Sequence, residues 1–156
     1  MALTSLLAGI AEADGSAPHK PAADTGAIND LLCTDGRTRI AAPPEFRSFY
    51  AFHNGWALRQ IQLIWPHPHD IAQQMQRPGI ADLLAADLDR RILPVPEASR
   101  QNTVLISWDY SPAPYQRAYA LFRSAADYSI IDAGSEIIRY SSLAAYLGFW
   151  RDVLRA

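Results

Sequence analysis

Thr103-Val104-Leu105-Ile106-Ser107-Trp108-Asp109-Tyr110 opens the part of this chain that decides its fold. It is followed by Arg117-Ala118-Tyr119-Ala120-Leu121-Phe122, Tyr128-Ser129-Ile130-Ile131-Asp132 and Glu136-Ile137-Ile138-Arg139-Tyr140. Each run is rich in β-branched and aromatic residues, and turn material at Ser111-Pro112, Ala125-Ala126 and Ala133-Gly134 separates them. Short runs at this spacing predict a meander of antiparallel strands. Just upstream, Ile92-Leu93-Pro94-Val95-Pro96 is apolar, but its prolines exclude a fully paired central strand. An edge strand or a loop laid across the core is expected there.

Helical patterns lie on both sides of this block. Downstream, Ser141 or Ser142 caps a last helix whose Leu143, Tyr146, Leu147, Trp150, Val153 and Leu154 form one apolar stripe. Arg151 and Arg155 fall near its C-terminal end, where the helix dipole favours cations. Upstream, Pro43 and Pro44 suit a first helical turn, Phe46, Phe49, Tyr50 and His53 share a face, and Asn54-Gly55 ends the pattern. A single strand is expected over Leu58–Trp65, then a helix from Asp70 through Met75 and another over Ile80, Leu83, Leu84 and Leu88. Ile28, Leu31 and Leu32 read as a short helix over Ala27–Cys33. Near the start, Leu3, Leu6, Leu7 and Ile10 mark one face of an amphipathic helix. No Lys or Arg precedes Lys20, so this segment lacks the basic start of a secretory leader. Residues 14–26, rich in Gly, Ala, Pro and Ser, read as a mobile connection. The expected organisation is a helix and linker over 1–26 and one α+β domain over 27–156.

The 156 residues are 49% hydrophobic, enough for one sizeable core, and the net charge of -2 offers no excess of cations for a phosphate backbone. Direct nucleic-acid binding is therefore not expected. No apolar run reaches the length of a membrane span. Cys33, the single cysteine, excludes an internal disulfide and a multi-cysteine zinc site, which suits a cytoplasmic protein. Its place beside Leu31 and Leu32 makes it a buried, inert thiol. No Gly-x-Ser-x-Gly elbow, phosphate-binding Gly-Lys-Ser/Thr loop or dinucleotide-type glycine triplet is present, and no cofactor is expected.

The helix Pro43-Pro44-Glu45-Phe46-Arg47-Ser48-Phe49-Tyr50 through Asn54-Gly55, the segment Ile92-Leu93-Pro94-Val95 before Val104-Leu105-Ile106, and Tyr140-Ser141-Ser142-Leu143-Ala144-Ala145-Tyr146-Leu147 occur in an order that resembles the SUKH superfamily of Smi/Knr-type domains. Arg100-Gln101-Asn102 stands where that family often has a glycine-rich turn, and Leu143 replaces a usual aromatic. The resemblance implies a mixed, largely antiparallel sheet flanked by helices, and a protein that binds and neutralises a cognate toxin rather than a catalyst.

An inhibitor of that kind needs a surface matched to its target, and acidic side chains suit a basic cleft. Asp82, Asp87, Asp89, Glu97 and Asp109 are the candidates, with Tyr110 and Tyr115 as aromatic anchors beside Ser111-Pro112-Ala113-Pro114. Trp108 is either a further anchor or core. Asp82, Asp87 and Asp89 otherwise read as the solvated face of a helix. Two other classes stay open. His67-Pro68-His69-Asp70 carries ligand types for a divalent metal, with His53 or Asp109 as a third ligand of a small metal-dependent hydrolase. A scaffold or adaptor without a toxin partner is the other. His19, in the linker, adds nothing to the metal reading.

Overall fold

The computed structural model describes residues 2–16, 18 and 27–156, so most of the expected linker, His19 included, lies outside the described residues. In chain order the elements are α1 (Leu3–Asp14), β1 (Asp30–Leu32), β2 (Arg39–Ala41), α2 (Pro44–Phe52), β3 (Trp56–Leu58), β4 (Leu63–Trp65), α3 (Pro68–Gln74) and α4 (Pro78–Leu84). A π-helical turn over Ala85–Asp89 continues α4, and β5 (Thr103–Asp109), β6 (Arg117–Ser124), β7 (Asp127–Ala133), β8 (Ile137–Tyr140) and α5 (Leu143–Arg155) complete the chain. The α+β order is as expected. Among the described residues β3 to β8 form a single sheet in sequence order, β1 and β2 form a ribbon, and every pairing is antiparallel.

The large sheet is covered on both faces. On one, Leu6, Leu7 and Ile10 of α1, Phe46 and Phe49 of α2 and Leu143, Tyr146 and Leu147 of α5 pack over Val104, Ile106, Ala118, Ala120 and Ile130. On the other, Ile71, Ile80, Leu84 and Leu88 pack with Leu93 and Val95 over Leu105, Trp108, Tyr119, Leu121 and Ile131. Residues 92–96 thus form the loop across the core. A bulge between Leu105 and Ser107 resets the side-chain alternation, which turns Ser107 toward Tyr146 of α5 and Trp108 to the opposite face.

Two expected elements differ. The helix over Ala27–Cys33 is instead strand β1, turned onto β2 by Asp35, whose carboxylate accepts from Arg37 N, Thr38 N and Thr38 Oγ1. Leu31 and Leu32 are both buried, but in different apolar clusters, and a short strand covered on two faces has the same apolar run as a helical turn. The single strand over Leu58–Trp65 is a hairpin, β3 and β4, with Gln62 at φ 54° in its turn. No local glycine marks that turn. It is held from afar by the buried Asp14 carboxylate, which accepts from Arg59 N (3.0 Å) and Gln60 N (2.9 Å). The helix expected from Asp70 starts two residues earlier at Pro68, with His67 as its cap.

α5 starts where three side chains meet its first free N–H groups. Leu143 N donates to Tyr128 Oη, Ala144 N to Glu45 Oε2 and Ala145 N to Ser142 Oγ, while the Tyr128 hydroxyl itself donates to Glu45 Oε1. The N-terminal donors that a helix leaves unpaired are thereby satisfied by α2 and β7 as well as by the local cap.

Candidate functional site

The acidic residues nominated from the sequence do not form one face. Asp87 is 2% exposed and lies inside the molecule, paired with Arg117; it is not a surface acid. Trp108, also 2% exposed, is core and not an anchor. Asp89 and Glu97 are exposed, but each is neutralised by an arginine, Arg100 at 2.7 Å and Arg139 at 2.6 Å. Arg100 lies just before the start of β5 and Asp109 is its last residue, so these acids are separated by on the order of 20 Å of strand. Asp82 is exposed on α4.

Asp109 has a different part. Its carboxylate accepts from Ser111 N (2.8 Å), Tyr115 N (2.8 Å) and Gln116 N (2.7 Å), closing the loop between β5 and β6 around itself. The loop is fixed from outside too. The Tyr110 hydroxyl donates to Leu58 O, Arg117 Nη1 donates to Tyr115 O, and Pro112 O sits so close to α4 that a Cβ on Gly79 would stand 1.9 Å from it. On this braced loop Tyr110 is 43% exposed and Tyr115 62% exposed. Both tyrosines are thus exposed on the loop, as the sequence leads one to expect.

Beside the loop lies a cleft that no sequence motif announces. Gln116, Asp132, Glu136, Ile138, Phe149 and Trp150 line about 230 Å³ of space between the end of the sheet and α5. Asp132 is 4% exposed, and Gln116 Nε2 donates to its Oδ1 at 2.5 Å. Gln116 is held over the turn after β7, where a Cβ on Gly134 would stand 2.0 Å from Gln116 Oε1. Burial pushes the Asp132 carboxyl up to about 6, against the pull of Gln116 and Arg117. Their own burial, and then its charge, hold Tyr140 and Tyr146 above the ordinary phenol range. The one sequence signal for Asp132 is its period: two residues after Ile130, it falls on the α5 face of a buried strand.

That carboxylate costs stability, and the sign can be worked out. Asp132 titrates near 3.8 unfolded and about 6 folded, so its favourable contribution is complete below 3.8 and lost as pH rises through 6. Asp132→Asn is accordingly expected to raise stability at pH 8 by up to roughly 3 kcal/mol, from about two pKa units at 1.36 kcal/mol each. The gain should vanish near pH 3.5. Urea unfolding at both pH values checks this, and an unchanged or lower midpoint at pH 8 refutes it.

The histidine turn is built as structure. His67, buried, accepts from His69 N through Nδ1 (3.2 Å), hydrogen-bonds the Tyr50 backbone, and stacks on His69 at 4.6 Å. Desolvation, then His69, holds its basicity below the ordinary range. Its ring thus caps α3 and leaves no lone pair for a metal. His53 is fully buried, accepts from Gly55 N, and is pushed down to about 3 by burial and then by His67. His67 and Asp70 border a separate open cleft of about 300 Å³ with Asn54, Gln74 and Arg77. Asp109 is committed to its own loop. Among the described residues no three His, Cys, Asp or Glu side chains converge as a metal-binding group. Cys33 is buried, with its thiol pushed up to about 11 by desolvation and then by Asp35, so it is not a nucleophile. No helix among the described residues is long and apolar enough to cross a membrane. No family model, curated protein or solved structure matches the chain.

Proposed function

We propose that this chain is a non-catalytic protein-binding module of the immunity type, cytoplasmic, which occludes a cognate toxin or effector as the SUKH resemblance implies. The observation that carries the reading is the β5–β6 loop. Asp109 and Arg117 order its backbone in advance, so little conformational entropy remains to be lost when Tyr115 and Tyr110 are buried by a partner. Aromatic side chains on a pre-ordered support are the residues in which binding energy concentrates. The acidic-face mechanism is replaced by this one, since the acids are paired, buried or dispersed.

The test begins with the tagged chain in lysate of its own cells. Tyr115→Ala is expected to melt like the parent and to lose the captured partner, with affinity reduced about 30-fold or more, the equivalent of about 2 kcal/mol at a hot spot. The captured protein, expressed alone, should arrest growth, and co-expression of the chain should relieve the arrest. Capture that is indifferent to Tyr115, or a partner whose toxicity the chain does not relieve, rejects the reading.

A further inference from the structure

We infer that the cleft over Asp132 receives the end of a basic side chain, an arginine guanidinium presented by the protein partner. The inference rests on the protein-binding reading above and specifies what the partner must bring.

Among the described residues the buried Asp132 carboxylate makes no salt bridge, and Arg117 acts on it only at a distance. Among the described residues its side chain makes one hydrogen bond, from Gln116 to Oδ1. Arg117, the guanidinium that acts on it, is turned to the other face of the sheet, where Asp87 and the Tyr115 carbonyl occupy it. A ligand entering here must therefore bring donors and positive charge. An anion would meet both Asp132 and Glu136, and an apolar group would cover a carboxylate without satisfying it. The walls favour a planar cation in particular, because Phe149 and Trp150 present aromatic surface beside the carboxylate, and guanidinium stacks on such faces. Size points to a side chain rather than a free metabolite: about 230 Å³ is below the roughly 300–1,000 Å³ typical of drug-sized ligand sites.

The rim is suited to protein. Ile138 and Phe149 are each 37% exposed at the mouth, and Gln116, which lines the cleft, directly follows Tyr115 in the chain. The groups that face Asp132 are Gln116 just before β6, Glu136 from the turn, Tyr140 from β8 and Tyr146 from α5, while Arg117 acts on it through the sheet. The Asp132 carboxylate takes up its proton as pH falls through about 6, so occupancy should fall as the solution is taken below that value.

The probe is Nα-acetyl-arginine methylamide, titrated into the full chain and followed through the Trp150 indole N–H and the Gln116 side-chain amide by NMR. Saturable shifts are expected at pH 7.5. The neutral citrulline analogue and the Asp132→Asn variant should each bind at least tenfold more weakly, and Asp132→Asn stays well folded because it removes a buried charge. Equal shifts from the arginine and citrulline compounds, or arginine shifts that survive Asp132→Asn, overturn the assignment. If Tyr115→Ala abolishes partner capture while Asp132→Asn alters neither capture nor the arginine titration, the cleft assignment falls and the protein-binding reading stands. Arginine bound through Asp132 with no protein captured upholds the guanidinium site but overturns its assignment to a protein partner, together with the reading.

Discussion

Asp87→Ala is expected to destabilise this protein by about 3–5 kcal/mol, the usual cost of breaking a buried ion pair by removing one partner. For a chain of this size that is a fall in melting temperature of about 6–20 °C. Asp87 Oδ1 accepts from Arg117 Nη2 at 2.6 Å, and Oδ2 accepts from Arg117 Nε at 2.9 Å and from the Tyr119 hydroxyl at 2.6 Å. The two charged side chains are only 1% and 10% exposed. Without Asp87, the guanidinium and the phenol lose their shared acceptor inside the packed face between the π-helical turn and β6. Asp87→Lys would bury two cations side by side and should leave no folded protein. The pair and a well-packed apolar substitute are close in free energy, so Asp87→Leu with Arg117→Met should recover most of the loss. Chemical denaturation checks the series. An Asp87→Ala variant within 1 kcal/mol of the parent, on the order of a surface substitution, refutes the assignment. Because Arg117 also donates to Tyr115 O, the same variant should loosen the β5–β6 loop before the sheet melts.

Asp87 also shows what the sequence contains and how it is misread. Its charge groups it with Asp82 and Asp89 on a solvated face, yet it follows Ile80 by seven residues, Leu83 by four and Leu84 by three, which is the apolar face of the same helix. The period was there; the residue type overrode it. Where pattern and chemistry agree, the reading holds. The strands β5 to β8 follow from alternation and turns, and α5 from its stripe and the Ser142 cap. β1 and the β3–β4 turn depend on partners distant in sequence, Thr103 O for the backbone after β1 and Asp14 for the turn, and no window of neighbouring residues contains that information. The site divides along the same line. Tyr110 and Tyr115 were legible because a proline-rich loop between strands is exposed almost by definition. Gln116 and Asp132 were not, because the antiparallel pairing of β6 with β7 is what brings them together.

A chain beginning at Ala27 is expected to lose its cooperative unfolding transition, although residues 1–26 read from sequence as an appended helix and linker. α1 packs against both α5 and α2, and its Leu6, Leu7 and Ile10 are at most 5% exposed. Burial of three such side chains is worth about 5–9 kcal/mol, comparable with the whole stability of a typical domain of about 5–15 kcal/mol. Two polar ties would go with them. Asp14 holds the β3–β4 turn, and the Trp56 indole donates to Ser16 Oγ at 2.9 Å. The exposed faces of α2 and α5 would then bind a hydrophobic dye in a compact state with near-native secondary structure. Leu7→Ala gives the graded version of the same experiment, about 2–5 kcal/mol for a fully buried leucine that leaves a cavity between helices. Thermal unfolding of both variants decides the matter. If residues 27–156 melt at the temperature of the full chain, α1 is an ornament on a self-sufficient domain; if Leu7→Ala alone lowers the midpoint by about 4–20 °C, the helix is part of the core that holds the sheet and its β5–β6 loop in place.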